Sequence, residues 1–312
     1  MSHPLARYRS VVDDWPAFAR RALEPLPTTV WTNTLRTDQQ RLRRWLEREG
    51  MSATPIGWNP GALRLEVGAV SVPRTLAHIT GLCHIQEEAA MTAVELLAPE
   101  PNERLLELCA APGNKSLQMA VRIADRGTMV AVDRHSQRLG VLVRNAERLG
   151  ITSCVVTVGD AASLSAGIGS FDRVLADVPC SCEGTSRKNA AVIERLDRRR
   201  DDDPGWLRTR RVQRAILEKA VQRCRPGGRI VYATCTYAPE ENEAIVSSIL
   251  DAYPELTVIP ARLPGLTTRP GLTSWRDADY HPAMTGAMRL YPHDNDTGGF
   301  FAAVLEKAGS NQ

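Results

Sequence analysis

Two cysteines and a few acids are the residues best equipped for chemistry in this chain of 312 residues. Cys235 sits in Thr-Cys-Thr at 234–236, and Cys180 closes Asp-Val-Pro-Cys at 177–180. A thiolate is a strong nucleophile, and a second thiol with a carboxylate beside it would bring covalent addition and proton transfer to one place. A cysteine alone at a strand end is usually a small apolar residue, so its neighbours decide its reading. Cys83, Cys154 and Cys224 have no such neighbours and read as ordinary core residues. The Cys180-x-Cys182 pair lacks the second pair or nearby His of a zinc site, so no metal is expected. Seven cysteines, an odd number without a CxxC pair, argue against a disulfide framework and for reduced thiols in a cytoplasmic protein.

These residues need elements to hold them. Residues 104–108 read as a strand and 115–124 as a helix. A strand at 128–132 runs up to Asp133, and a helix follows over 136–149, with Leu139, Leu142, Val143 and Ala146 on one face and Gly150 as its stop. Further strands are expected at 154–158, ending at Asp160, at 171–176, ending at Asp177, and at 229–233, ending at Cys235 after a Pro-Gly-Gly turn at 226–228. Residues 181–205 read as a long loop. Residues 207–223 form an amphipathic helix with Val212, Ile216, Leu217, Ala220 and Val221 inward, and 240–252 another helix. Strands at 289–291 and 300–305 flank a loop at 294–299.

Alternation of this kind specifies an α/β fold, a doubly wound and mostly parallel Rossmann-like sheet to which a terminal hairpin adds an antiparallel member. Ligands of such sheets bind beyond the carboxyl ends of the strands. Glu107, Cys109, Asp133, Asp160, Asp177, Cys180 and Cys235 all fall there, which predicts one shared site. Residues 1–75 differ in character. Strands at 31–35 and 62–67 with a basic helix at 38–49 predict a small α+β domain. A junction at 73–81 and a helix at 86–97 lead into a larger domain, 76–312.

The stretch from Glu107 to Lys115 joins a strand to a helix through small residues that let a ligand approach the backbone, and the helix N-terminus favours a carboxylate. Asp133 can accept both hydroxyls of a ribose. Strand-two acids also occur in nicotinamide-binding folds, but the GxGxxG bed for a pyrophosphate is absent, so a nucleoside without phosphates fits better.

Cys-Ala-Ala-Pro-Gly at 109–113, the acid at 133, Gly-Asp at 159–160, Asp-Val-Pro-Cys at 177–180, Pro-Gly-Gly at 226–228 and Thr-Cys-Thr at 234–236 occur in an order that resembles the RNA 5-methylcytosine methyltransferases of the Sun/RsmB/RsmF kind. Gln86-Glu87 and Gly-Phe-Phe at 299–301 fit as well. The resemblance covers residues 75–307, and only loosely the first 75, which would correspond to a small RNA-binding domain. It implies a methyltransferase fold and S-adenosyl-L-methionine as cofactor. The donor would be bound by Cys109, Ala110, Ala111, Pro112, Gly113, Asn114, Lys115, Asp133, Arg138, Asp160 and Asp177. It further implies that Cys235 attacks carbon 6 of a cytosine, that Cys180 assists release of the methylated base, and that Asp177 and Lys115 act in catalysis; Asp177 is assigned to cofactor, base or both. Carbon 5 of cytosine is a poor nucleophile until a thiolate adds at carbon 6 and makes it enamine-like. The sequence departs from the family pattern at Glu107, where Asp is common, at Asn114, which replaces a glycine and would have to tolerate positive φ, and at Cys182, where Gly or Ser is common.

The net charge of +3 is too small to demand a polyanionic partner, but its distribution is uneven. Residues 180–230 carry 14 Arg and Lys against 7 Asp and Glu, and residues 1–50 carry 9 against 6. Arg187, Lys188, Arg195, Arg198–Arg200, Arg208, Arg210 and Arg211 beside the catalytic loop, with Arg36, Arg41, Arg43, Arg44 and Arg48 in the first domain, are candidate phosphate contacts for RNA, ribosomal or transfer. No run of 18 apolar residues and no signal-peptide stretch occurs, so no membrane partner is expected. The competing readings are a non-catalytic RNA-binding assembly factor on a methyltransferase fold, a methyltransferase for another substrate and, more distantly, a nicotinamide oxidoreductase.

Overall fold

The computed structural model describes residues 3–66, 71–198 and 202–309. The chain enters through a helical turn at Ala6–Tyr8 and helix α1 (Trp15–Arg21), whose cap Asp14 accepts a hydrogen bond from the Ala17 N–H. A small domain follows: β1 (Thr28–Thr32), α2 (Gln39–Arg48), β2 (Ser52–Ile56), β3 (Asn59–Glu66), α3 (Leu76–Ile79) and β4 (Cys83–Ile85). Its antiparallel sheet has the order β2-β3-β1-β4. Asp38 caps α2, which buries Leu42 and Leu46 against Val30 and Leu63 and leaves Arg41, Arg43, Arg44 and Arg48 exposed.

The larger unit runs through α4 (Glu88–Leu97), β5 (Arg104–Leu108), α5 (Asn114–Arg122), β6 (Thr128–Asp133), α6 (Ser136–Leu149), β7 (Cys154–Val158), β8 (Phe171–Asp177), α7 (Ala190–Arg198), α8 (Pro204–Arg223), β9 (Cys224–Thr234) and α9 (Glu243–Leu250). It closes with β10 (Leu256–Ile259), β11 (Arg269–Pro270), a tiny hairpin of β12 (Ser274–Trp275) and β13 (Ala278–Asp279), then β14 (Met288–Leu290), α10 (Pro292–Asn295) and β15 (Phe300–Lys307). The main sheet is ordered β11-β14-β15-β9-β8-β5-β6-β7, with β10 also paired to β15. Strands β9, β8, β5, β6 and β7 are parallel, and β10, β11, β14 and β15 pair antiparallel. Chain direction across the sheet therefore reverses at β5, where a crevice opens at the carboxyl ends. Successive strand residues face opposite layers. Leu106, Leu108, Val174 and Ala176 pack on the α8–α9 side, while Leu105, Leu175, Val231 and Ala233 pack on the α4 side. Each Leu or Val among these contributes roughly 1.5–3 kcal/mol on burial.

Several expectations need correction. The stretch 181–205 is not all loop, because Val192 and its neighbours build α7. Val143 is exposed rather than inward, and Gln213 takes a buried place on α8. The Pro-Gly-Gly turn lies inside β9, where Gly227 adopts φ +74°. The boundary at residue 75 is crossed twice. Leu5, Tyr8, Val12, Phe18 and Ala22 join the core of the large sheet, and β4 pairs with β1 in the small one. Val67, the expected end of a strand, and Arg199, Arg200 and Asp201 of the basic stretch lie outside the described residues.

Candidate active site

The parallel register brings four strand ends level. Asp177 on β8 pairs with Ala233 on β9, and Asp133 on β6 with Val158 on β7. The loops that leave these ends enclose a cavity of about 450 Å³ lined by Pro112, Asp133, Arg138, Asp160, Asp177 and the cysteine loop. A smaller cavity of about 140 Å³ lies on the other side of Asp177 and Cys235, with Asn114, Lys115 and Phe300 in its wall.

Loop 109–113 is shaped by its backbone. Cys109 adopts φ +68°, the Ala111–Pro112 peptide is cis, and Gly113 adopts φ +109°. A Cβ on Gly113 would stand 2.6 Å from Leu142 Cγ on α6, so both conformation and space require glycine there. Asp133 is buried. One of its oxygens accepts from the Ala111 N–H at 3.1 Å, and the other accepts from the His135 N–H at 2.9 Å. Arg138 donates to the Ala111 carbonyl at 2.5 Å. Cys109, Ala111 and Pro112 line the larger cavity, as do Asp160 and Arg138, whereas Ala110 is buried and Asn114 and Lys115 face the smaller one. Burial pushes the Cys109 thiol up to about 12, and its side chain forms part of the cavity wall.

Two family departures acquire physical roles. Asn114 does not take positive φ, contrary to expectation; Gly113 does, and Asn114 starts α5. Its Oδ1 lies 3.1 Å from His84 Nε2 on β4, and His84 Nδ1 lies 2.8 Å from the Arg148 guanidinium. Burial lowers His84 to about 4, so the imidazole is neutral, accepts from Arg148 and donates to Asn114. The loop is thereby tied to the small domain. Glu107 is fully buried beneath it and accepts from the Ser116 hydroxyl; burial raises its carboxyl to about 8.

Lys115 Nζ lies 2.6 Å from Asp177 Oδ2. Burial works against its charge, but the Asp177 carboxylate outweighs this and raises its pKa, so Lys115 stays cationic. Beside this pair the Sγ atoms of Cys180 and Cys235, 55 residues apart in sequence, are 3.5 Å apart. Cys182 adopts φ +61° and points back, its Sγ 4.0 Å from that of Cys180 and 3.2 Å from the Cys180 carbonyl. Hydrogen bonding to the other two sulfurs and then burial raise Cys180. For Cys235 the bond from Cys180 works downward, but Cys182 and burial outweigh it and leave the thiol well above its usual range. Bonds from Cys180 and Cys235 hold Cys182 low, aided by the charges of Arg195 and Lys188.

Sequence reasoning missed what positions these sulfurs. Glu241, fully buried, accepts from the Ser181 N–H at 3.0 Å, Trp206 Nε1 at 2.9 Å and Gln213 Nε2 at 2.7 Å, and so anchors the Cys180 loop to α8. Gly184 N–H donates to the Cys235 carbonyl and Gly299 N–H to the Gly184 carbonyl, both at 2.9 Å. A Cβ on Gly184 would meet Gly299 O at 2.2 Å. The useful signals were the acidic pair Glu240 and Glu241 after Pro239 and the glycines at 184 and 298–299.

The basic residues divide. Arg187 is buried and donates to the carbonyls of Glu24, Pro25 and Thr297 and to Asp296, so it braces the fold while also forming part of the smaller cavity's wall. Arg210 stacks on Trp206 and donates to the Glu240 carbonyl. Lys188, Arg195, Arg208 and Arg211 are exposed, as are Arg36, Arg41, Arg43, Arg44 and Arg48.

Residues 94–306 match the family model described as 16S rRNA methyltransferase RsmB/F. The chain belongs to this family. It is 32% identical to the tRNA (cytosine(49)-C(5))-methyltransferase of Pyrococcus abyssi, over 96% of this chain and 94% of that protein. It is 33% identical to the human 28S rRNA (cytosine(4447)-C(5))-methyltransferase over 91% of this chain, but spans only 34% of that protein's length. The mouse and Schizosaccharomyces pombe rRNA relatives are likewise spanned over 35% and 46% of their lengths. Among solved structures, a methyltransferase homologue from Pyrococcus horikoshii superposes with a TM-score of 0.82 at 27% identity, over 98% of this chain and 99% of that one. The motif residues Cys109, Ala111, Pro112, Asp133, Asp160, Asp177, Cys180 and Cys235 thus line one crevice, whereas Pro-Gly-Gly at 226–228 lies at the opposite end of β9, and no helix among the described residues is long and apolar enough to cross a membrane.

Proposed function

We propose that the protein transfers a methyl group from S-adenosyl-L-methionine to carbon 5 of a cytosine in RNA, through a covalent adduct with Cys235. The observation that carries this reading is the 3.5 Å approach of Cys180 and Cys235 beside the Lys115–Asp177 pair, at the wall between two cavities. The larger cavity fits the donor. Asp133, Asp160 and Asp177 suit a ribose and a cationic sulfonium and would repel a pyrophosphate. Asp133 and Asp160 would hold the nucleoside, with Arg138 bracing loop 109–113 through Ala111. When bound, the donor supplies an electrophilic methyl group.

The chain's own residues do the rest. The cytosine occupies the smaller cavity, an extruded or already exposed base. Cys235 gives up its proton and its sulfur bonds to carbon 6. Asp177, held by Lys115, contacts the ring: it takes the Cys235 proton and delivers it to ring nitrogen 3, and the Lys115 ammonium stabilises the negative charge that develops there. After methyl transfer the carbon 5 proton leaves, the sulfur–carbon bond breaks, and Cys180, already in contact with the Cys235 sulfur, assists that release. The exposed arginines of α2 and the catalytic loop contact phosphates. Both tRNA and rRNA are substrates of relatives by name, and the P. abyssi tRNA enzyme has about the same length as this chain.

The test uses methyl-labelled donor and total RNA, followed by bisulfite sequencing of RNA from cells with and without the protein. Label in 5-methylcytosine is expected. Cys180→Ala should accumulate a protein–RNA adduct that survives denaturing gels, and Cys235→Ala should form none. A reversed asymmetry would overturn the assignment of the two sulfurs, and absence of label from every RNA would favour a non-catalytic RNA-binding factor.

A further inference from the structure

The third sulfur has no part in the mechanism above. Read from sequence, Cys180-x-Cys182 lacks enough ligands for a metal. The fold supplies the missing one, because the Sγ atoms of Cys180, Cys182 and Cys235 all lie within 4.8 Å of one another. A zinc–sulfur bond of about 2.3 Å places tetrahedral sulfurs about 3.8 Å apart. The observed separations of 3.5 and 4.0 Å straddle that value. All three residues line the larger cavity, which offers an entry path and an open fourth position. Lys188 lines the same cavity and bears on the Cys182 sulfur together with Arg195, so two cations face the cluster.

We propose that Cys180, Cys182 and Cys235 form a three-thiolate site for a thiophilic divalent ion of the zinc or cadmium class. Any proton on a sulfur leaves to solvent as it binds; three thiolates and one divalent ion make a complex with a single negative charge, and no oxidation occurs. Lys188 and Arg195 offset that charge. Soft thiolate ligands select such ions over magnesium or calcium. The ion would hold the sulfur that must add to cytosine, so metal binding and methyl transfer exclude one another.

The binding test needs neither RNA nor methyl donor. The reduced, metal-free 312-residue chain is titrated with Cd²⁺ and followed by the ultraviolet thiolate-to-metal absorption, with Zn²⁺ as competitor. One ion per chain is expected. Cys182→Ser should weaken binding by at least about 100-fold, since even outer-shell changes cost 10–100-fold. Cys83, Cys109, Cys154 and Cys224 remain in both proteins, so the difference isolates the cluster. Cys182→Gly, which relieves the positive φ, serves as a second variant if the serine form is unstable. Equal Cd²⁺ affinity in wild type and both variants would overturn the proposal. In the activity arm, which rests on the proposed function, one equivalent of Zn²⁺ should stop Cys235 adduct formation in wild type and spare Cys182→Ser. Equal inhibition of both would overturn the role of the cluster. A protein that binds the ion yet methylates no RNA would refute the function and leave the metal site standing.

Discussion

Glu107 shows what one buried carboxyl does to the behaviour of the whole chain. Its ordinary value is 4.5, and burial raises it to about 8 in the folded state. Between those values the folded chain keeps a proton that the unfolded chain has lost. This group's contribution is therefore fully present below about pH 4.5 and is lost as pH rises toward 8, at up to about 1.4 kcal/mol per unit. Melting temperatures of wild type and Glu107→Gln, compared from about pH 5 to pH 8, should diverge, with only the wild type losing this increment. Parallel curves would show that Glu107 is ionised. The longer side chain than the family's Asp keeps the acid beneath the loop, where Ser116 donates to it.

At the scale of elements, the junctions between strand and helix carry the site. Gly113 and Gly227 both have positive φ, but only Gly113 is also crowded. Gly227→Ala should cost about 1 kcal/mol from backbone strain alone, whereas Gly113→Ala should cost roughly 1–3 kcal/mol more and weaken donor binding. Thermal unfolding and calorimetric titration with the donor check both, and equal effects would remove the packing argument. Glu241 acts through the loop it holds and touches neither cavity. Glu241→Gln should lower the rate of Cys235 adduct formation by about tenfold or more, equivalent to at least 1.4 kcal/mol, while donor affinity stays the same. A matched fall in donor affinity would mean that the loop holds the donor as well.

Across the whole molecule, the first residues do two jobs on either side of a boundary that composition alone placed at 75. Residues 3–22 are built into the core of the large sheet, where Tyr8 donates to Glu183 at 2.5 Å in the cysteine loop. The small sheet packs on α4, α5 and α6 through Trp31, Ile56 and Ala62, and the arginines of α2 face outward. Arg41, Arg44 and Arg48 surround the exposed Trp45 on a shallow cleft. Replacing the three arginines by Ala should weaken RNA binding at low salt and flatten its salt dependence by about one unit of slope for each phosphate no longer neutralised. Donor affinity should not change. An unaltered salt slope would place the RNA on the α7–α8 side instead.

Much of this was legible in the sequence because it is local. Helix α6 and strands β5 and β7 fall where periodicity and the stop at Gly150 put them, and strand ends in a doubly wound sheet must share an edge, which collected Asp133, Asp160, Asp177, Cys180 and Cys235 in advance. What local pattern cannot encode is which side chains then touch. The 3.5 Å between Cys180 and Cys235, the arrival of Cys182 as a third sulfur, the bond from Asn114 to His84 and the burial of Arg187 all depend on strand order, register and packing between segments tens of residues apart. The sequence by itself determined the fold class and the edge at which chemistry is placed. Tertiary structure alone decided the contacts there, because such contacts arise from non-local packing and a single residue's type and spacing do not carry them.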